Sequence, residues 1–186
     1  MSSYDEITKL VSIIISMREL FNHHGDHTAE YSAGFANALA LQKEDVELIT
    51  VGAKLHDIGK IFIRPELLNF PRRLTEWERK EMEAHVEVGW EVVNRAGYDI
   101  YIQQIVRHHH ERWDGKGYPD GLKGNEIPMG SQIVGICDVY AALTSARSYR
   151  EAFSHNYAMA AIQKDKGIRF NPELVDVFFE KVTFRL

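Results

Sequence analysis

Residues 108–121 read His108-His109-His110-Glu111-Arg112-Trp113-Asp114-Gly115-Lys116-Gly117-Tyr118-Pro119-Asp120-Gly121. Ile100, Ile102, Ile105 and Val106 precede them at helical spacing, so an apolar helix delivers three successive histidines to a glycine-rich loop. Neutral imidazole is the commonest side-chain metal ligand, and adjacent histidines at a helix end can reach one ion together. Gly115, Gly117 and Gly121 permit a tight, irregular backbone, and Pro119 stiffens it. A histidine run at a chain end would read as a tag, but this one lies mid-chain in patterned sequence.

A second cluster, His56-Asp57-Ile58-Gly59-Lys60, stands some fifty residues earlier. Alone it would read as a helix end with a solvated aspartate. Together the two stretches resemble the HD-GYP family, cyclic di-GMP phosphodiesterases within the HD phosphohydrolase superfamily. The resemblance rests on His56-Asp57-x-Gly59-Lys60 and His109-His110-Glu111-x-x-Asp114-Gly115-x-Gly117-Tyr118-Pro119, and spans about residues 20–180.

The rest of the chain suits such a frame. Its 186 residues, 45% hydrophobic and 26% charged, describe one globular domain with a sizeable core. The domain reading is a single HD-GYP unit over 1–186, with an N-terminal helix over about 1–22 and a catalytic core over 23–186. A net charge of −5 without a long basic tract argues against a DNA partner. No apolar run is long enough for a membrane span, and acidic Asp5 and Glu6 stand where a signal peptide would be basic. Cys137 is the only cysteine, which suits a reducing, cytoplasmic setting and a buried, inert thiol. Eight of the nine histidines fall between residues 23 and 110.

Periodicity gives helices throughout and no alternating strand pattern, so the fold is expected to be all-α. Helices are expected over 5–22, 24–41, 44–58, 75–94, 99–109, 131–146 and 154–166, with a last one starting at Asn171-Pro172. Gly59 is expected to end the third. Thr75 and Glu78 form a capping box, and Ser154 is a cap. The helix over 24–41 is rich in small residues and should be central. The expected architecture is an HD-type helical bundle with a metal site in its core and the Gly117-Tyr118-Pro119 loop over it.

The resemblance implies a ligand set of His24, His56, Asp57, His85, His109, His110 and Asp138, with Asp57 bridging two ions. His23 and His27 stay open as alternatives to His24, and His108 is a neighbour that packs or hydrogen-bonds. Two-metal phosphohydrolase sites hold their ions roughly 3.5–4 Å apart and activate a water. Iron is implied first and manganese next. Some members carry a glutamate four residues before the first histidine, for a third metal. That place is Leu20 here, so two divalent ions are expected. Lys60 matches the lysine at the scissile phosphate, while Tyr118, Arg147 and Arg150 match the groups that hold the dinucleotide. Arginine suits phosphate because its planar fork bonds two oxygens. Glu111 and Asp114 would orient ligands or fix the loop.

The activity implied is metal-dependent hydrolysis of cyclic di-GMP to the linear dinucleotide pGpG, with further cleavage to GMP left open. One departure stands out: members usually carry aspartate three residues after the closing ligand, and this chain has Ala141. A second reading is therefore a binding module that holds cyclic di-GMP with weak or no turnover. A third is an HD phosphohydrolase acting on another nucleotide, against which the intact Gly117-Tyr118-Pro119 counts. No sensory module fits in this chain, so input is expected from a regulatory partner or a removed segment.

Overall fold

A computed structural model describes residues 24–68, 72–146 and 151–181. The helix expected over 5–22, together with Leu20, His23, Arg147 and Arg150, lies outside the described residues. Nine α-helices follow in chain order among those described: α1 (His24–Ala38), α2 (Lys43–Leu55), α3 (Pro65–Leu68), α4 (Glu76–Glu83), α5 (His85–Arg95), α6 (Ile100–His108), α7 (Met129–Thr144), α8 (His155–Lys164) and α9 (Pro172–Lys181). Short 3₁₀ turns cover Ile58–Phe62 and Gly124–Glu126. The described residues contain two isolated β-bridges and no strand, in keeping with the all-α expectation.

α1 packs against both α2 and α7, and α6 packs against α2, α5 and α7. Small residues make these approaches possible. Gly52 of α2 and Gly130 of α7 both lie under the Ile105 side chain of α6. One continuous core results, running from Phe35 and Ile49 through Ile105 and Ile133 to Tyr140 and Phe178. Ile100 does not join it and is exposed at the start of α6. At about 25 cal/mol per Å² of apolar surface removed from water, such burial supplies most of the favourable folding energy.

Three boundaries differ from the expected ones by more than two residues or by a break. α1 stops at Ala38, because Ala40 turns into the left-handed region at φ 55° and the amide of Leu41 reaches back to the Ala36 carbonyl. The helix expected to run to residue 58 ends at Leu55, and Gly59 is not its cap. Gly59 lies inside the 3₁₀ turn pressed on α5, where a methyl group would overlap the carbonyl oxygen of His85. The helix expected over 75–94 divides at Ala84, where the His85 ring takes the Met82 carbonyl at 2.7 Å. A side chain inserted into the hydrogen-bond ladder is a common cause of such breaks.

The expected caps are present. Thr75 and Glu78 form a reciprocal capping box, Ser154 Oγ accepts from the Tyr157 amide, and Asn171 Oδ1 accepts from the Glu173 amide with Pro172 opening α9.

Candidate metal centre

The chain turns sharply after Leu55, which lets two sequence neighbours point into one space. His56 caps α2 and Asp57 follows in a bridge conformation (φ −97°, ψ 8°). Both are buried. His85 comes from the first residue of α5, His109 and His110 from the end of α6, and Asp138 from the middle of α7. His24 opens α1.

These residues form two groups that share Asp57. Asp57, His85, His109 and His110 place one donor atom each within 4.8 Å of one another, and so do His24, His56 and Asp57. The two carboxylate oxygens of Asp57 divide between them. Oδ1 lies 3.3 Å from His85 Nε2 and 3.9 Å from His109 Nε2, whereas Oδ2 lies 3.3 Å from His56 Nε2. Asp138 Oδ1 closes the second group, 2.8 Å from His24 Nε2 and 3.6 Å from His56 Nε2.

Three of the rings are oriented identically. Nδ1 of His56 donates to the Ala53 carbonyl, that of His85 to Met82 and that of His109 to Val106, at 2.6, 2.7 and 3.0 Å. A carbonyl can only accept, so each Nδ1 carries a proton and each Nε2 is the ring nitrogen turned inward. Every one of those acceptors lies three residues back, at a helix end or break where carbonyls lack helical partners. Nε2 of His56, His85 and His109 and Oδ1 of Asp57 are buried without a hydrogen-bond partner. Several orphaned acceptors around one point are costly unless a cation satisfies them. The donor set therefore fits metal ions, with the opposite ring nitrogen fixed by a backbone carbonyl as is usual for metal-ligating histidine.

The charges agree. Burial opposes ionisation of Asp57, yet Lys60 and His56 hold its carboxyl well below the usual carboxylate range. Asp138 is likewise held low against burial, by the His24 hydrogen bond and the neighbouring His56. Burial keeps His110 neutral by lowering it to about 3, and burial with the neighbouring imidazoles pushes His109 well down. His56 goes the other way. Burial would lower it, but Asp57 and Asp138 together raise it to about 10. Without metal, a proton on His56 thus sits between two carboxylates.

Lys60 is not an exposed lysine. Its Nζ donates to Asp57 Oδ2 at 2.6 Å, and its side chain is 24% exposed. Tyr118 lies against His110 with ring centroids 4.9 Å apart, and burial beside Asp57 pushes its phenol above the ordinary range. His27, one turn beyond His24, pairs with Ser145 at 3.3 Å instead of joining either group. His108 turns away and donates to Asp120 Oδ2 at 2.9 Å. Ala141 is wholly buried one turn beyond Asp138.

The loop after His110 is held from within. Glu111 Oε1 accepts from the amides of Asp120 and Gly121, Arg107 grips the Asp120 carboxylate in a two-point contact, and Asp114 ties Arg112 to the Lys116 amide. Glu111 and Asp114 accordingly fix the loop. Gly117 passes so close to the Glu111 and Arg112 backbone that a methyl group has no room. Asp120 as the anchor for Arg107 and His108 escaped the sequence reading, because Pro119-Asp120-Gly121 looks like ordinary turn chemistry. Arg169, whose backbone carbonyl receives the Trp113 amide, carried no signal at all.

A model of the HD domain matches residues 9–174. The chain belongs to the HD-domain family. Among its relatives is the cyclic di-GMP phosphodiesterase response regulator RpfG of Xanthomonas campestris pv. campestris. It is 42% identical over 144 residues, 76% of this chain and 38% of that protein. The 3′3′-cGAMP-specific phosphodiesterase 2 of Vibrio cholerae is 34% identical over 159 residues, 84% of this chain and 30% of its own length. This HD domain thus spans about a third of the length of these curated relatives. The HD domain of the Listeria phosphodiesterase PgpH (L. monocytogenes), solved with cyclic-di-AMP, superposes with a TM-score of 0.65. At 19% identity over 93% of this chain and 92% of that one, it shares the helical fold. The HD-GYP resemblance drawn from the motifs stands with this membership.

Proposed function

We propose that this HD domain is a metal-dependent phosphodiesterase that hydrolyses cyclic di-GMP to pGpG, with GMP as a further product if the linear dinucleotide is cleaved again. One observation carries the reading: the two oxygens of Asp57 face two separate histidine groups, which is what a carboxylate bridging two ions requires. Two ions held there would supply Lewis acidity and a nucleophilic water at neutral pH. His24, His56, Asp57 and Asp138 would hold one, and Asp57, His85, His109 and His110 the other. Iron is the metal proposed first and manganese second, on the family resemblance.

The residues of the chain then have separate tasks. Lys60, bonded to Asp57, is proposed to turn its ammonium to a phosphoryl oxygen of the substrate and offset developing charge. Tyr118, packed on His110, offers a ring face to a purine. Arg147 and Arg150 are proposed to grip the phosphates. The domain reading of 1–186, with 1–22 as an N-terminal helix, belongs to the same proposal, as do a cytoplasmic setting and a sensory or regulatory partner. No helix among the described residues is long and apolar enough to cross a membrane.

Ala141 favours a second reading, a module that binds the dinucleotide without turning it over. The test is elemental analysis of the purified protein with turnover assays on cyclic di-GMP and 3′3′-cGAMP. Two ions per chain and release of pGpG support the phosphodiesterase. Binding without product, metal present, supports the module. Faster cleavage of 3′3′-cGAMP would replace the substrate.

A further inference from the structure

Only half of the Glu111 carboxylate is accounted for. Oε1 accepts from two loop amides, but Oε2 is buried without a hydrogen-bond partner on a side chain from a residue 8% exposed. Glu111 lines a cavity of about 10 Å³ behind His109, together with Ser131, Gln132, Arg169 and Asn171. Most polar groups there are engaged. Ser131 Oγ donates to the Gln104 carbonyl, Gln132 Nε2 donates to the Ile127 carbonyl, and Gln132 Oε1 accepts from Asn171 Nδ2.

The Trp113 indole N–H and Arg169 are the exceptions. The Arg169 guanidinium stacks 5.3 Å from the Phe170 ring and makes no hydrogen bond or ion pair among the described residues. Glu111, with one oxygen unpaired, and Arg169, with its guanidinium unpaired, therefore line one polar cavity without touching. Leaving a buried acceptor unsatisfied costs its desolvation penalty. A cavity of this size holds about one water, and a bridging water is nearly as good as a direct hydrogen bond.

We infer that Glu111 and Arg169 form a water-bridged pair that locks the Gly117-Tyr118-Pro119 loop to the turn over 165–171, making Arg169 a positioning residue for the site. The water accepts from the guanidinium and donates to Glu111 Oε2. The backbone already joins the same two segments, with the Trp113 amide on the Arg169 carbonyl at 3.0 Å and the Asp114 amide on the Ile168 carbonyl at 2.9 Å. Glu111 then holds the far side of the loop at Asp120 and Gly121, while its other oxygen ties that hold to the turn. Tyr118 and His110 inherit the rigidity.

The test combines a high-resolution crystal structure with amide hydrogen exchange and kinetics of Arg169→Met and Arg169→Lys. Ordered density within hydrogen-bond distance of both Glu111 Oε2 and the guanidinium is expected. In Arg169→Met the Asp120 and Gly121 amides should exchange on the order of tenfold faster, the size of one bridged hydrogen bond. Arg169→Lys should restore protection, because a water-mediated contact needs a cation but not the planar fork. On the phosphodiesterase reading, Arg169→Met should also raise KM more than it lowers kcat, at unchanged metal content. A direct Arg169–Glu111 contact, the lack of a water there, or unchanged exchange in Arg169→Met overturns the inference. Crystal and exchange results do not use turnover, so they separate its failure from failure of the activity assignment.

Discussion

His24 and Asp138, 114 residues apart, meet at 2.8 Å where the start of α1 crosses α7. That contact closes the second ligand group and joins the two halves of the chain across the core. Since Asp57 belongs to both groups and Asp138 to one, their removal should differ in stoichiometry. Elemental analysis of Asp138→Ala is expected to show one ion lost, and of Asp57→Ala both. Retention of both ions in Asp57→Ala would end the bridging assignment.

Metal loading should release a proton. His56, raised to about 10 by Asp57 and Asp138 despite its burial, is protonated without metal at neutral pH and must be neutral to ligate. Affinity should then rise roughly tenfold per pH unit over the neutral range, the signature of one displaced proton. The metal-free protein should behave oppositely. A raised pKa contributes stability fully below the ordinary 6.5 and loses it as pH rises toward about 10. Calorimetry of metal binding in two buffers of different ionisation enthalpy, with melting curves of the metal-free form, measures both. Identical heats in the two buffers would contradict the first expectation.

Much of the site was legible because its ligands sit in two compact motifs, and helical periodicity turns His85 and Asp138 inward. What the sequence could not convey is where helices stop. α2 ends at Leu55 because His56 and Asp57 turn toward α5, and α4 parts from α5 because the His85 ring occupies the Met82 carbonyl. The first end is set by a helix about thirty residues away, the second by a site ligand whose ring folds back onto a carbonyl three residues before it. For the same reason His27, equally plausible in register with His24, pairs with Ser145, and Arg169 gave no sign of its place beneath the loop.

Gly59 offers a test of that tertiary control. A methyl group there meets the His85 carbonyl and, at 2.6 Å, the Gly89 amide, both backbone atoms that cannot turn aside. Gly59→Ala should cost about 1–3 kcal/mol, as overpacking does, and should weaken the ion held by His85. Gly97→Ala is the control. It has open space but φ 75°, so it should cost about 1–2 kcal/mol from backbone strain alone and leave metal affinity intact. Denaturant melts with metal titrations distinguish the two. Equal metal affinity in both variants would show that the close approach does not position His85.

Ala141 bears most directly on rate. It is wholly buried on α7 one turn beyond Asp138, where the HD-GYP pattern has an aspartate. If that carboxylate serves proton transfer at the attacked phosphate, its loss removes about 10²–10⁴-fold in rate. Ala141→Asp is then expected to raise kcat toward that range while leaving KM nearly unchanged, since Arg147 and Arg150 are proposed to hold the phosphates. An interaction made only in the transition state has this signature. A buried carboxylate without a partner would instead destabilise the protein, so melting temperature and metal content are measured beside turnover. A folded, metal-replete Ala141→Asp with unchanged kcat, in a parent that already turns over fast, would show that the chain meets the carboxylate's role by other means. The same variant in a parent that binds cyclic di-GMP but releases no product, and still releases none, would assign the domain to binding.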